Sequence, residues 1–225
     1  MNIYVVTEGP SEKKVFKSWI RQVNPSISPV ETIDKVKNNN FYIVSGGGYP
    51  QYLDVIDAAI FDVISIYENA TPLFNRLVIC ADSEDYTFKE KLQEIKNHVH
   101  RNLAGKKTKI DIKIIIQHYC FESWCLANPK IVTRNIKIPE LSTFLKHFNV
   151  KDSDPEKMPS FSTRSLNRAQ FSEEYLRLLF QNKNITYSKG NPRYVQEPTY
   201  FEQLKKRYDT TNHIQSFGEF LKAFL

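Results

Sequence analysis

The chain has 225 residues, 41% apolar and 25% charged, which is enough for one substantial hydrophobic core or for a core with a small appendage. Its 31 Lys and Arg against 25 Asp and Glu leave a net charge of +6, a balance that suits a polyanionic partner. No apolar run approaches the roughly 20 residues of a membrane span, and the N-terminus lacks the basic-then-apolar pattern of a secretory signal, so a cytoplasmic protein with no membrane partner is expected.

In chain order, Asn2 to Thr7 is a short β-branched run followed by Glu8-Gly9-Pro10-Ser11. Ser11 is positioned to cap a helix that carries Val15, Phe16, Trp19, Ile20 and Val23 on one face. A second strand, Phe41 to Ser45, runs into Gly46-Gly47-Gly48, after which Pro50 suits a first helical turn and Leu53, Ile56, Ile60, Ile64 and Tyr67 continue with helical period. The pattern repeats as strand Arg76 to Ala81, acidic turn Asp82 to Asp85 and an amphipathic helix from Phe88 to Leu103. A fourth strand, Ile110 to Gln117, precedes Phe121 to Ala127. Such alternation predicts an α/β fold, Rossmann-like, with a mainly parallel four-stranded sheet flanked by helices, and ligands collect at the carboxyl ends of such strands.

From about Ile138 the alternation gives way to helices at Pro139 to Phe148, Ser172 to Gln181, Pro198 to Arg207 and His213 to Phe224, with Val150 to Ser165 as a mobile loop. This divides the chain into residues 1–130 and a helical C-terminal extension, residues 131–225, packed on it. Cys80 lies in a strand-like run, and Cys120 and Cys125 lack the paired spacing of a zinc site, so all three read as reduced packing residues.

The acidic residues cluster where the predicted strands end. Glu8 follows the first strand, and Glu12 falls four positions later on the first helical turn, where it either complements the helix dipole or joins Glu8 on a cation. Asp82-Ser83-Glu84-Asp85 sets three carboxylates within four residues. They repel one another unless solvent, basic groups or a hard cation neutralise them, and an acidic helix N-terminus is the alternative. Glu122, inside His118-Tyr119-Cys120-Phe121-Glu122-Ser123-Trp124, is a charge among aromatic neighbours that calls for a partner, either a cation or a structural salt bridge.

Ile3-Tyr4-Val5-Val6-Thr7-Glu8-Gly9-Pro10-Ser11-Glu12, the glycine turn Ser45 to Gly48, and Leu77 to Asp85 resemble the three successive signatures of a TOPRIM domain. Phe121-Glu122-Ser123-Trp124 is similar to the element of the RloB-like and OLD (overcoming lysogenization defect) nuclease branch. A weaker match covers Tyr187-Ser188-Lys189-Gly190-Asn191-Pro192. The resemblance implies a metal-dependent endonuclease, a hydrolase using two Mg²⁺ or Mn²⁺ ions. In it Glu8 and Glu12 match the Glu-x-x-x-Glu element, Asp82 and Glu84 the Asp-x-Asp pair, Glu122 the downstream glutamate and Lys189 the late lysine that stabilises charge. Glu84 replaces the usual Asp, which leaves Asp85 as the alternative ligand. Glu8, Asp82 and Lys189 are the implied catalytic residues.

The resemblance also implies a DNA-binding effector of antiviral defence. DNA is favoured over RNA as the substrate; a ribonuclease or tRNA-targeting toxin of the same fold and an inert nucleic-acid-binding or ATPase-regulating subunit are the alternatives. The chain has no Gly-x-x-x-x-Gly-Lys-Ser/Thr element, so an ATPase would be a separate subunit, and the fold is compatible with a homo-oligomer. Lys189, Arg193, Lys205, Lys206 and Arg207, interleaved with Tyr187, Tyr194, Tyr200 and Phe201, suit phosphate contact and base stacking, although core packing competes for the aromatics.

Overall fold

The computed structural model of the chain describes residues 1–68, 73–106, 108–161 and 165–225, with residues 66–68 described by their backbone alone. The β-branched runs form strands β1 (Ile3–Thr7), β3 (Asn40–Ser45), β4 (Arg76–Asp82) and β5 (Asp111–Gln117), and a fifth strand, β2 (Ser28–Val30), joins them. All five lie in one parallel sheet of order β2-β3-β1-β4-β5. β1 lies between β3 and β4, with Thr7 beside Ser45 on one side and Cys80 on the other. The expected sheet of four strands is therefore one strand short. Ser28-Pro29-Val30 is too brief to show alternation, and its proline is tolerated because β2 is an edge strand and needs no second ladder of N–H donors.

Helices α1 (Pro10–Val23), α2 (Gln51–Glu68) and α3 (Phe88–Leu103) are the crossovers. The two-residue period of the strands sorts side chains between the faces. Tyr4, Val6, Leu77 and Ile79 pack with Tyr52, Ile56 and Ile60 of α2 and with Ile95 and Val99 of α3. Ile3, Val5, Phe41 and Val78 point the other way and are wholly buried, as are Val15, Phe16, Trp19 and Ile20 of α1. The side chain of Tyr67, expected on the apolar row of α2, lies outside the described residues.

Helix α1 begins earlier than Ser11. Pro10 occupies the first helical position, where its missing N–H and preset φ suit the turn, so Gly9 becomes the cap residue and Ser11 falls inside the helix. The cap is closed by Glu12, whose Oε2 accepts the Gly9 N–H at 2.6 Å. The glycine turn is tied to the end of β1: Gly46 donates to the Thr7 carbonyl at 2.9 Å and Gly48 to the Glu8 carbonyl at 3.3 Å. Gly46 admits no side chain, since a Cβ there would stand 2.8 Å from Tyr52 Cα, while Gly48 adopts a φ of +93°. Tyr52 in turn donates its hydroxyl to the Cys80 carbonyl at 2.6 Å.

By contact density the chain divides into two compact units, residues Met1–Ala81, Phe88–Ile116 and Lys222–Leu225 in one, and Asp82–Thr87 with Gln117–Leu221 in the other. The first contains the sheet and α1 to α3. Its C-terminal residues are held by Asn24, which donates to the Phe224 carbonyl at 2.9 Å, and by Arg76, which donates to that of Ala223 at 2.5 Å.

The second unit contains α4 (Phe121–Leu126), α5 (Pro139–His147), α6 (Arg168–Asn182), α7 (Arg193–Gln196), α8 (Pro198–Thr210) and most of α9 (Gln215–Ala223). Every residue of α4 is buried, and the rest of the unit packs around it. Trp124 meets Phe217 and Phe220 edge-on or tilted at 5.6 Å and donates its indole N–H to Ser216 Oγ at 2.7 Å, and the Tyr200 hydroxyl donates to the Cys125 carbonyl at 2.7 Å. Among the described residues no helix is long and apolar enough to cross a membrane.

Much of the segment expected as a mobile loop, Val150 to Ser165, is anchored. Arg207, itself buried, donates to the carbonyls of Lys151, Val150 and Ser153, and a short 3₁₀ turn covers Pro155–Lys157. Residues 162–164 of that segment lie outside the described residues. The Glu156 carboxylate accepts from Ser216 Oγ and from the Ser216 N–H at 3.2 Å, at the start of α9. Burial pushes its carboxyl up to about 7, the Ser216 hydrogen bond opposing and the nearby Asp154 charge adding to the rise.

Two outcomes follow for stability. Gly46→Ala should cost about 1–3 kcal/mol in a urea melt through overpacking against Tyr52. Gly47→Ala, with nothing within 4 Å of the added Cβ, should stay within about 0.5 kcal/mol of the parent. The Glu156 carboxyl binds its proton more tightly folded than unfolded, where it titrates near 4.5, so its stabilising contribution is complete below that value and is lost as pH rises through about 7. Glu156→Gln should therefore have a higher melting midpoint than the parent at about pH 8, with the gap closing toward about pH 5.5; a gap independent of pH would contradict the assignment.

Candidate active site

The two units each carry part of the acidic set. In the first, Glu8 directly follows β1 and is 7% exposed, and Glu12 is 3% exposed with one oxygen committed to the Gly9 N–H. Glu12 thus closes the start of α1 through one oxygen, in the first turn, where its charge also complements the helix dipole.

In the second, Asp82 is the last residue of β4 and half-buried, whereas Glu84 and Asp85 are exposed. The turn is fixed through its backbone: Ser83 N–H donates to the Gln117 carbonyl and Glu84 N–H to that of Tyr119, both at 2.9 Å. Glu84 sits at a φ of 49°, a left-handed conformation unusual for a side-chain-bearing residue and one that such anchoring sustains. Asp85 has a structural task. Its Oδ1 accepts the Arg168 N–H at 3.2 Å at the start of α6, while the guanidinium of Arg168 donates to the Asp85 carbonyl at 3.1 Å and the Tyr119 hydroxyl at 3.2 Å and lies 4.3 Å over the Tyr119 ring. Both carboxylates of the turn are exposed, and Asp85 is the one that also ties down the start of α6.

Glu122 is 1% exposed, in the first turn of α4. Tyr187 donates its hydroxyl to Oε1 at 3.2 Å. Burial holds the Glu122 carboxyl above the usual carboxylate range; the Lys189 ammonium and a hydrogen bond from the Cys120 thiol pull the other way, and the Glu173 carboxylate adds to the rise. Lys189 lies on a tight turn closed by Asn191 N–H to the Ser188 carbonyl at 2.9 Å, and its Nζ is 3.1 Å from Glu173 Oε2. Burial opposes its charge, but the Glu122 and Glu173 carboxylates outweigh that and hold the ammonium above its ordinary value. The Cys120 thiol is raised well above its ordinary value by burial, then by the charges of Glu122 and Asp82, with Lys189 opposing. Glu122, Asp82 and Lys189 are the sequence-selected residues that carry these charges.

Sequence reasoning selected those three, but it did not pair Tyr187 with Glu122, and it gave no place to Glu173 or Arg168. Tyr187 stands in the segment matched to the family motif, whereas Glu173 and Arg168 lie among ordinary helix-surface charges and carry no local signal.

The basic tail is less uniform than its sequence. Lys189, Arg193, Lys205 and Lys206 are exposed, with Lys205 paired to Asp209 at 3.0 Å. Arg207 is interior: besides the three carbonyls it donates Nε to His213 Nδ1 at 2.9 Å, so its guanidinium serves the fold where the sequence suggested a phosphate contact. Tyr187, Tyr200 and Phe201 are buried, and Tyr194 is the exposed aromatic of the four.

Comparison of the chain with protein-family models, with curated proteins and with solved structures finds no significant match. Among the described residues no group of three or more His, Cys, Asp or Glu side chains stands ready to hold a metal ion. The available donors are carboxylate oxygens, the chemistry a hard divalent cation takes, and Mg²⁺ is commonly held by one or two carboxylates with water and phosphate completing its shell.

Because burial penalises the Glu122 charge, Glu122→Gln should melt higher than the parent at neutral pH, by a few degrees if it recovers about 1 kcal/mol. A lower midpoint in differential scanning calorimetry would mean that Tyr187 and Lys189 compensate the charge in full.

Proposed function

We propose that the chain is a Mg²⁺- or Mn²⁺-dependent nuclease of the TOPRIM kind, in the RloB-like and OLD branch, hydrolysing phosphodiester bonds of DNA first and RNA as the alternative. The observation that carries this reading is the buried Glu122 carboxylate, which accepts the Tyr187 hydroxyl at 3.2 Å from the segment that also bears Lys189. Two further features support it: Glu8 and Asp82 stand at the carboxyl ends of adjacent parallel strands, and such edges are where ligands of parallel sheets bind.

In this reading Asp82 and Glu84 hold the cation in the second unit, where Glu122 adds a carboxylate, and Glu8 and Glu12 are the acidic residues of the first unit. A bound divalent cation supplies charge that polarises the phosphodiester and lowers the pKa of an attacking water. Lys189, half-exposed and firmly protonated, neutralises negative charge gathering on the phosphate. Tyr187 fixes the Glu122 carboxylate through its hydroxyl, and Glu8 is the candidate to move the proton. Work in antiviral defence beside a separate ATPase subunit belongs to the same reading.

The test is cleavage of plasmid DNA and of RNA, side by side, by the purified chain with Mg²⁺ or Mn²⁺. Cleavage should vanish with chelator and in Glu8→Ala and Asp82→Ala, and Lys189→Ala should slow it by about 10²–10³-fold. A wild-type protein that leaves both substrates intact would overturn the nuclease reading and leave a nucleic-acid-binding or ATPase-regulating subunit in its place.

A further inference from the structure

A cleft of about 190 Å³ opens in the second unit between the 3₁₀ turn that follows α4 and the start of α8. Pockets for drug-sized ligands occupy roughly 300–1,000 Å³, so this cleft suits one planar ring system and excludes a whole nucleotide. Its lining is dominated by hydrogen-bonding groups, and several of them are uncommitted. Asn128 is 3% exposed; its Oδ1 accepts the Lys130 N–H at 3.0 Å, and its amide nitrogen has no protein partner among the described residues. The Glu197 carboxylate and the Gln203 amide, both on the wall, likewise make no hydrogen bond among the described residues. Tyr194 supplies an aromatic surface, its ring fixed edge-on by Phe180 at 5.0 Å and Tyr200 at 5.8 Å. The Lys130 ammonium is exposed beside it, and Lys183 donates Nζ to the Lys130 carbonyl at 3.1 Å, which brings a second cation to the same turn.

We propose that this cleft binds a single guanine base turned out of a nucleic-acid strand, with its sugar and phosphate remaining outside beside Lys130. That the base belongs to a strand rests on the nuclease reading; its recognition does not. An aromatic face accepts any base by stacking. The carboxylate selects among them, because it can only accept hydrogen bonds. Guanine presents two adjacent donors, N1–H and the N2 amino group, to a carboxylate. Adenine and cytosine set a ring acceptor beside their amino group, and uracil flanks its single N–H with carbonyls. The Asn128 amide nitrogen complements this as a donor to the guanine acceptors O6 or N7. The buried Asn128 donor is satisfied by that base and left unpaired by one that offers no acceptor there, while the exposed Glu197 carboxylate adds a preference for an edge with two adjacent donors. Recognition of unstacked bases by stacking and edge hydrogen bonds is the usual mode for single-stranded targets.

Isothermal titration of the full chain with GMP, AMP, CMP and UMP, in the absence of divalent metal, tests this directly. GMP should bind roughly tenfold or more tighter than the other three. Glu197→Gln, an exposed position where the fold should be unaffected, should erase the preference while a melting curve stays at the parent midpoint. Tyr194→Ala should weaken all four ligands together. Equal binding of the four nucleotides, no binding at millimolar concentration, or a guanine preference that survives Glu197→Gln would each overturn the proposal. Since no metal and no cleavage enter this measurement, a failure of the nuclease assay leaves its outcome untouched.

Discussion

A carboxylate enclosed in a helix whose neighbours are Phe121, Trp124, Cys125 and Leu126 imposes requirements on everything around it. An ionised group out of water must find donors or a counter-charge, and Glu122 has the Tyr187 hydroxyl, the Cys120 thiol and the Lys189 ammonium. Tyr187 and Lys189 come from a segment more than sixty residues later, so their contribution depends on the turn at Ser188 to Asn191 lying beside α4. The same burial makes Cys120 and Cys125 poor thiolates, since their ionisation would add negative charge beside Glu122. Raised thiols and a carboxyl held above its usual range have one cause.

The sheet has a different constraint. Parallel neighbours need crossover helices, and each crossover leaves the carboxyl edge through a turn that carries no ladder hydrogen bonds of its own. The molecule closes these turns in different ways. After β1, Glu12 reaches back to the Gly9 N–H; after β3, Gly46 and Gly48 bond to the end of β1; after β4, Ser83 and Glu84 bond to the residues that end β5. Backbone anchoring of this kind lets Glu84 occupy a left-handed conformation.

Elements with a strong period were legible from the sequence, and α3 spans the residues its amphipathic pattern predicts. The edge strand β2 was not, because three residues cannot display a period and a proline argues locally against a strand. Ser11 looked like a cap because local chemistry favours it, yet Pro10 and Glu12 together define an earlier start. At the candidate site, Asp82, Glu122 and Lys189 were legible because they break the character of their surroundings or match a motif. The task of Asp85 was hidden, since it depends on Arg168, a residue 83 positions away. Arg207 misled for the complementary reason: a basic run on a helix reads as a surface, but one of its members turns inward to bind three loop carbonyls that no local pattern announces.

Helix α4 gives the second unit its scale. Glu122 lies in its first turn and Asn128 two positions beyond its end, six positions on along the chain, about 9 Å at the helical rise. The helix is rigid because it is wholly buried and held by side chains from α6, α8 and α9. A group bound at Asn128 is therefore held at a fixed distance from the carboxylate at the other end, with no flexible loop between them. Under the proposed function, a strand that inserted a base beside Asn128 would have its backbone orientation restricted over the adjoining linkages. The barrier to reaction falls when reacting groups are held by binding rather than found by diffusion, and a short buried helix between two polar sites is a physical means of doing so.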